Sequence, residues 1–199
     1  MTELYVIANE EFPSRFLKKR DIPHQWIPGF DVSAVEGNAV KTALTQAKAN
    51  AEIACLSAPD RLRDALIVGC GCVLAEKKAV GPEIIIMPPG DNKEMKSVLM
   101  RCAMNPFGVY AAVYVVDSET GKETAGYTRA ESQFKCSIKE IKDFLTDKTE
   151  FVGLEPIVKF TCRYYFDKRI RNPVLTHHLC WDKLEKILRG YEFSDFSSH

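Results

Sequence analysis

The ten residues Ala65–Leu74, with the sequence ALIVGCGCVL, constrain the fold and the chemistry of this chain more than any other segment. Their apolar run predicts a buried strand, and the two Gly-Cys pairs predict a turn at its end. Ligand and catalytic groups of α/β enzymes gather where such strands end. No carboxylate follows the apolar run here. The segment therefore predicts an enzyme-like fold without the acid expected at its site.

Composition and charge predict one cytoplasmic domain that binds neither nucleic acid nor membranes. The 27 basic and 27 acidic side chains cancel, so no overall field attracts polyanions. No apolar stretch approaches the ~20 residues needed to span a bilayer, and the first residues lack the pattern of a signal peptide. The seven cysteines are odd in number, and we expect them to be reduced. We expect a single domain over residues 1–190 and a C-terminal tail, 191–199.

Hydrophobic periodicity predicts strands and helices that alternate along the chain. Strands are predicted at 4–8, 24–27, 65–74, 83–87, 109–116, 122–134 and 157–166. Helices are predicted after Pro13, from Asn38 and Asp91, after Ser137, and over 179–188. This order predicts the α/β class, with an elongated mixed sheet flanked by helices and two lobes around a cleft.

Several stretches, in their order and spacing, resemble one known family. VYAAVYVVDSETGKE resembles that family's V-Y-T-G-V-x-V-V-D hairpin, and the run from Phe134 to Phe144 resembles its F-R-x-L-S-x-x-E-I-x-x-Y segment. Ala47-Lys48-Ala49 resembles its L-A-x-x-K-A helix, and ALIVGCGCVL falls where it has a strand ending G-A-D-T-V-V. The family is that of the Maf proteins, relatives of the inosine triphosphatase fold. Maf proteins hydrolyse modified nucleoside triphosphates to monophosphate and pyrophosphate.

The resemblance implies a small set of site residues. Lys48 matches the family's catalytic lysine, and Asp31 matches the first acid of its D-V-D-E loop, which implies a catalytic and metal-binding role. Ser14 and Arg15 are what remains of its phosphate-holding S-x-S-P-R-R loop. Glu36 is a further candidate metal ligand. Lys48 is equally compatible with a solvent-facing position on its helix, and Glu36 with the start of a helix.

Departures from the family pattern fall on the site itself. Glu10 and Glu11 put negative charge where a triphosphate would lie, and Gly71 stands in place of the aspartate of G-A-D-T. Mg²⁺ requires hard carboxylate oxygens, so an efficient pyrophosphatase is not expected. An active protein would need a substitute site, for which three acids are available: Asp31, Glu36 and Asp64.

Other chemistries remain open alternatives. Cys70 and Cys72 with His177, His178 and Cys180 offer ligands for a tetrahedral zinc site, although C-x-C is not the usual spacing. The same cysteines suggest a reactive-thiol enzyme. The first strand also resembles that of nucleotide-sugar glycosyltransferases, but the D-x-D-like pair that those enzymes need is absent from the Cys70–Cys72 segment.

Two functional hypotheses follow. In the first, the chain is a non-catalytic relative of Maf proteins that serves as a subunit or as a module that binds nucleotide or protein. In the second, it is a slow or repurposed nucleoside triphosphate pyrophosphatase, which would require Mg²⁺. The resemblance implies a homodimer, and a non-catalytic relative equally suits a different partner protein. Four aromatic residues are candidate contacts: Tyr164, Tyr165, Trp181 and Phe193.

Overall fold

One twelve-residue strand, β3 (Ala65–Glu76), organises the sheet. The computed structural model describes residues 3–30, 38–77, 80–134, 136–146, 153–154, 156–158, 160 and 172–191. Along one edge, β3 pairs antiparallel with β5 (Phe107–Asp117), from Leu66↔Asp117 to Glu76↔Phe107. The Gly-Cys-Gly-Cys segment therefore lies in mid-strand, and the turn predicted there is wrong.

The remaining strands complete a six-stranded mixed sheet in the order β2-β1-β3-β5-β6, with β4 on the free edge of β3. Strand β1 pairs parallel with both β2 and β3, whereas β4, β5 and β6 join by antiparallel pairing. Their bounds are β1 (Glu3–Ala8), β2 (Gln25–Pro28), β4 (Ile84–Ile86) and β6 (Glu123–Ser132). The prediction of an α/β protein with a mixed sheet flanked by helices is confirmed.

Helices cover both faces of this sheet. The described helices are α1 (Phe12–Lys18), α2 (Ala39–Ser57), α3 (Asn92–Met104), α4 (Ile138–Thr146), α5 (Pro173–His177) and α6 (Trp181–Arg189). α2 packs on one face, and residues of the other five belong to the core on the opposite face. The predicted capping box of α4 is present, because Ser137 N–H donates to Glu140 Oε2 (2.7 Å) and Glu140 N–H donates to Ser137 Oγ (3.2 Å).

The strand predicted at 157–166 is wrong in the part that the structure describes, since residues 156–158 and 160 are helical. Phe160 is fully buried, and its ring lies 4.8 Å from that of Phe134 and 5.0 Å from that of Phe144. Aromatic and β-branched residues favour strands only when the surroundings offer a sheet. Here packing against α4 and the loop before it decides the local structure.

Close packing of α2 explains the glycines of β3. A Cβ atom on Gly69 would lie 2.0 Å from the carbonyl oxygen of Ala47, and one on Gly71 would lie 2.1 Å from that of Ala43. Side chains alternate between the faces of a strand, so Cys70 and Cys72, each next to one of these glycines, point away from α2. Of the described helices, none is both long and apolar enough to cross a membrane.

Candidate functional site

A break in the sheet lies beside a cavity in the described part of the structure. Strand β1 pairs with the first part of β3, ending at Ile7↔Gly69, and β4 pairs with the last part, beginning at Leu74↔Ile86. On this edge of β3, none of the described strands pairs with residues 70–73. Backbone polar groups there need other partners, because unpaired buried groups are costly.

Two side chains of α2 supply those partners. Asn50 Nδ2 donates to the Cys70 carbonyl oxygen (2.7 Å), and Gln46 Oε1 accepts the N–H of Cys72 (3.0 Å). Asn50 is fully buried, and it also accepts the N–H of Phe30 (2.7 Å) and donates to Asn9 Oδ1 (3.2 Å). The two amides lie four residues apart on one face of α2. They replace the hydrogen bonds that a partner strand would form at the break.

The central cavity at this break has a volume of about 380 Å³. Its walls combine the end of β1, the middle of β3, the loop after β4 and the start of α1 with residues from late in the chain. The lining residues are Ala8, Asn9, Glu10, Phe12, Pro13, Gln46, Cys70, Gly71, Cys72, Pro88, Pro89, Gly90, Gly153, Leu154 and His178. Its size and mostly apolar walls are typical of small-molecule sites.

The titratable groups of the central cavity are mostly neutral at physiological pH. Burial lowers the pKa of His178 to about 3, and the neighbouring His177 adds to this effect. Burial raises the pKa of Cys70 to about 12. The pKa of Cys72 also lies well above its ordinary value, because of burial and the negative charge of Glu10. Glu10 is thus the only carboxylate among the described lining residues, which include no lysine or arginine.

A second cavity of about 340 Å³ adjoins the first and shares Glu10 and Phe12 with it. Arg15 lines this second cavity, where its guanidinium forms an exposed ion pair with Glu11 (3.0 Å). Hydrogen bonds from Arg15 and Lys18 lower the pKa of Glu11. Arg15 is therefore already paired with a carboxylate, which it shares with Lys18.

Ser14, the other predicted phosphate-binding residue, is fully buried and lines neither cavity. His24 Nδ1 lies 2.8 Å from the Ile22 carbonyl oxygen, which can only accept a hydrogen bond, so the proton of the neutral ring belongs on Nδ1. Nε2 then accepts from the Ser14 hydroxyl at 2.8 Å. The pair resembles an activated serine, but no substrate can reach it. The phosphate-binding role of Ser14 and Arg15 stays a prediction.

Lys48 lies outside both cavities. Its amino group is 3.5 Å from Glu52 on the same helix and 5.6 Å from the centre of the Tyr114 ring, and its side chain is half exposed. Gln46 lines the central cavity, and a side chain two positions later points roughly 200° away around the helix. The catalytic role of Lys48 stays a prediction.

The acids named in the sequence divide into two groups. Asp31 and Glu36 lie outside the described residues. Asp64 is exposed, with a φ of 56°, just before β3 begins. At ~3.3 Å per residue, it is roughly 20 Å from Cys70, and a substitute site that includes Asp64 stays a prediction. Gly71 lines the central cavity, and a Cβ atom there would point toward α2, 2.1 Å from the carbonyl oxygen of Ala43.

The zinc alternative receives no support from the described part of the chain. There, no three His, Cys, Asp or Glu side chains lie close enough to hold a metal ion. Cys180 is buried and lies 3.1 Å from the Thr128 hydroxyl. The raised pKa of each cavity cysteine also disfavours a reactive thiolate at neutral pH.

Sequence reasoning missed Gln46 and Asn50, and it named His178 only as a candidate zinc ligand. A signal existed for the first two, since Asn50 interrupts the apolar stripe of α2 and Gln46 stands one turn before it. Nothing in the local sequence indicated that His178 lines the central cavity. It is buried at the end of α5 with a left-handed φ of 52°, and its ring contacts that of Phe12.

Comparison with known proteins adds little to this geometry. A scan against protein-family models finds no match, and neither does a search of curated proteins. Among solved structures, the chain is similar to a nucleoside-triphosphatase / dITP/XTP pyrophosphatase from Mycobacterium abscessus. The identity is 12%, the match covers 66% of this chain and 74% of the other, and the TM-score is 0.37. At this level the similarity carries no argument about function, and the resemblance to Maf proteins stays a prediction.

Proposed function

We propose that this chain is a non-catalytic relative of nucleoside triphosphate pyrophosphatases, whose central cavity binds the uncharged, nucleoside part of a nucleotide. The observation that carries the proposal is the charge of the cavity. Among the described lining residues there is one carboxyl group, that of Glu10, and there is no lysine or arginine. A triphosphate needs cations to offset its own charge and the charge that develops during hydrolysis.

The polar groups in the cavity suit a neutral ligand better. The His178 ring offers one donor and one acceptor when neutral, and the Gln46 amide nitrogen offers two N–H donors while its oxygen is bound to Cys72. Phe12, Pro13 and Leu154 provide apolar walls. This combination of flat apolar surface and few polar groups is typical of sites for heteroaromatic rings.

The Mg²⁺ that the Maf resemblance implies does not fit the described residues. Mg²⁺ takes hard oxygen ligands in octahedral geometry. The cavity lining offers one carboxylate, Glu10, whose Oε1 accepts the N–H of Leu154 (2.7 Å), and two thiols. Metal-assisted hydrolysis is therefore not part of the proposed function.

A slow or repurposed pyrophosphatase is the second candidate. Glu10 favours it, because a carboxylate in the lining of the central cavity could serve as one ligand of a metal site. The further acids would have to come from Asp31 and Glu36. The two candidates differ in whether pyrophosphate is released.

Two measurements test the proposed function. Purified protein with Mg²⁺ or Mn²⁺ and a panel of nucleoside triphosphates should release no pyrophosphate above a heat-inactivated control. Calorimetric titration should show a nucleoside binding at least tenfold more tightly than its own triphosphate. Turnover near 1 s⁻¹, about the low end for enzymes, would contradict the proposal and support the second candidate.

Assembly remains a proposal as well: a homodimer, or a complex with a different protein. Trp181, one of the four aromatic contacts predicted from the sequence, is only 5% exposed and packs between Phe16 and Arg20, so it is unavailable to a partner. Tyr164, Tyr165 and Phe193 lie outside the described residues. Sedimentation analysis of the purified chain would distinguish a self-associating protein from one that needs a partner.

A further inference from the structure

The disagreement between the central cavity and a Mg²⁺ site centres on one residue of β3. We propose that Cys72 occupies the position from which a carboxylate would complete a divalent-cation site with Glu10, and that its thiol keeps the cavity from binding Mg²⁺ or Mn²⁺. The inference rests on the proposed non-catalytic function. It explains why the fold can bind a neutral ligand without a metal.

Strand geometry favours Cys72 as the position from which a carboxylate would enter the central cavity. The backbone of Ala43 and Ala47 leaves no room for a side chain on Gly71, so an acid at Gly71 would meet α2. Residues on either side of Gly71 point to the opposite face. Both Cys70 and Cys72 line the central cavity, but Cys70 is nearly fully buried whereas Cys72 is partly exposed. Cys72 is therefore the residue of this segment whose side chain best meets the cavity space.

Both partners of the proposed pair are held in place. The backbone of Cys72 is fixed by its hydrogen bond to Gln46 (3.0 Å), at the point where the sheet is broken. Glu10 is anchored through Oε1 by the N–H of Leu154 (2.7 Å), and its Oε2 is buried. Both residues line the central cavity, and the negative charge of Glu10 contributes to the raised pKa of the Cys72 thiol.

A thiol at this position is a poor ligand for hard cations. Mg²⁺ and Mn²⁺ select carboxylate, carbonyl and water oxygens over sulfur. A protonated thiol also brings no negative charge to offset the cost of taking a divalent ion out of water. An aspartate in its place would put two carboxylates in one apolar cavity. They would repel each other unless a cation lay between them.

The test is the pair of variants Cys72→Asp and Cys72→Asn, which have nearly the same shape and differ in charge. Thermal unfolding is measured without metal and across a MnCl₂ titration. Wild type and Cys72→Asn should be indifferent to Mn²⁺. Cys72→Asp should melt at a lower temperature without metal and gain about 5 °C or more when Mn²⁺ is at roughly 100 times its dissociation constant. Adding Glu10→Gln to Cys72→Asp should remove that gain.

Three results would overturn the inference. The first is a wild-type protein that gains as much from Mn²⁺ as Cys72→Asp does. The second is a folded Cys72→Asp protein that does not respond to Mn²⁺. The third is a Cys72→Asp protein that fails to fold even with Mn²⁺ while Cys72→Asn folds normally. Pyrophosphate release by the wild type would instead contradict the proposed function, so the two failures are distinguishable.

Discussion

Over the four residues 69–72, the two faces of β3 have different surroundings, because one packs against a helix and the other borders a cavity. On one face, Gly69 and Gly71 lie so close to α2 that the helix backbone fills the space a methyl group would need. On the other face, Cys70 and Cys72 line a cavity of about 380 Å³. The alternation of a strand thus gives one segment a tightly packed side and an open side.

The difference teaches that each face depends on a different kind of interaction. The packed face is held by close contact between the glycines and the alanines of α2, so it tolerates no added volume. The open face borders the cavity, next to a strand edge that lacks a partner strand and is held instead by hydrogen bonds from Gln46 and Asn50 of α2. Substitutions on the two faces should therefore fail for different reasons and by different amounts.

The largest effect is expected from Gly71→Ala. The new methyl carbon would lie 2.1 Å from the Ala43 carbonyl oxygen, so helix and strand would have to separate. We expect unfolding free energy to fall by about 3 kcal/mol or more, as in the most severe cases of overpacking. Urea denaturation monitored by circular dichroism measures it.

Cys72→Ala is the matched control for Gly71→Ala, because it changes the neighbouring residue on the open face. It removes one sulfur atom next to an existing cavity, and we expect a loss of about 1 kcal/mol. Equal losses for the two variants would show that the faces do not differ as described.

Asn50→Ala should have the next largest effect and tests the unpaired strand edge beside the cavity. The variant leaves the Phe30 N–H and the Cys70 carbonyl oxygen without their partner, and both contacts are short at 2.7 Å. We expect a loss of about 2–3 kcal/mol, since each abandoned buried group costs roughly 1–3 kcal/mol. Gln46→Ala, which removes a single and less buried bond, should lose about 1 kcal/mol. The reverse ranking of these two unfolding free energies would count against the role assigned to Asn50.

Sequence reasoning succeeded for contacts between residues that are close in the chain and failed for contacts between distant residues. The capping box of Ser137 and Glu140 and the start of α2 at Asn38 were predicted correctly, because their signals lie within one turn of helix. The glycines of β3 were wrongly predicted to form a turn, because the conformational freedom of glycine makes it common in turns. Their actual reason, the approach of α2, involves residues more than twenty positions away.

The central cavity was hidden for a similar reason. Glu10, Leu154 and His178 meet there from distant parts of the chain, and no spacing rule connects them. Charge could be assessed from the sequence, since Glu10 already argued against a triphosphate. The identity of the polar groups on the cavity wall required the fold.

The pH dependence of stability tests whether the cavity surroundings of His178 exclude water. Burial lowers its pKa to about 3 in the folded protein, against ~6.5 when unfolded. The unfolded state therefore binds more protons between these values, and stability falls as the pH drops below about 6.5, by up to about 1.4 kcal/mol per pH unit. His178→Asn keeps a residue suited to the left-handed backbone. It should reduce the slope between about pH 6 and 4 but not remove it, because burial also lowers the pKa of His177 to about 4. Parallel urea-unfolding profiles for the two proteins would mean that water reaches the His178 ring.

The smallest effect is expected from Lys48→Ala, on the side of α2 away from the cavity. The variant loses an exposed ion pair with Glu52 and a contact with the Tyr114 ring. Exposed pairs of this kind contribute about 0.5 kcal/mol or less. We therefore expect nearly wild-type unfolding and unchanged nucleoside binding by calorimetry. A tenfold loss of nucleoside affinity with unchanged stability would show that Lys48 reaches the bound ligand, and the open face of β3 would then not contain the whole site.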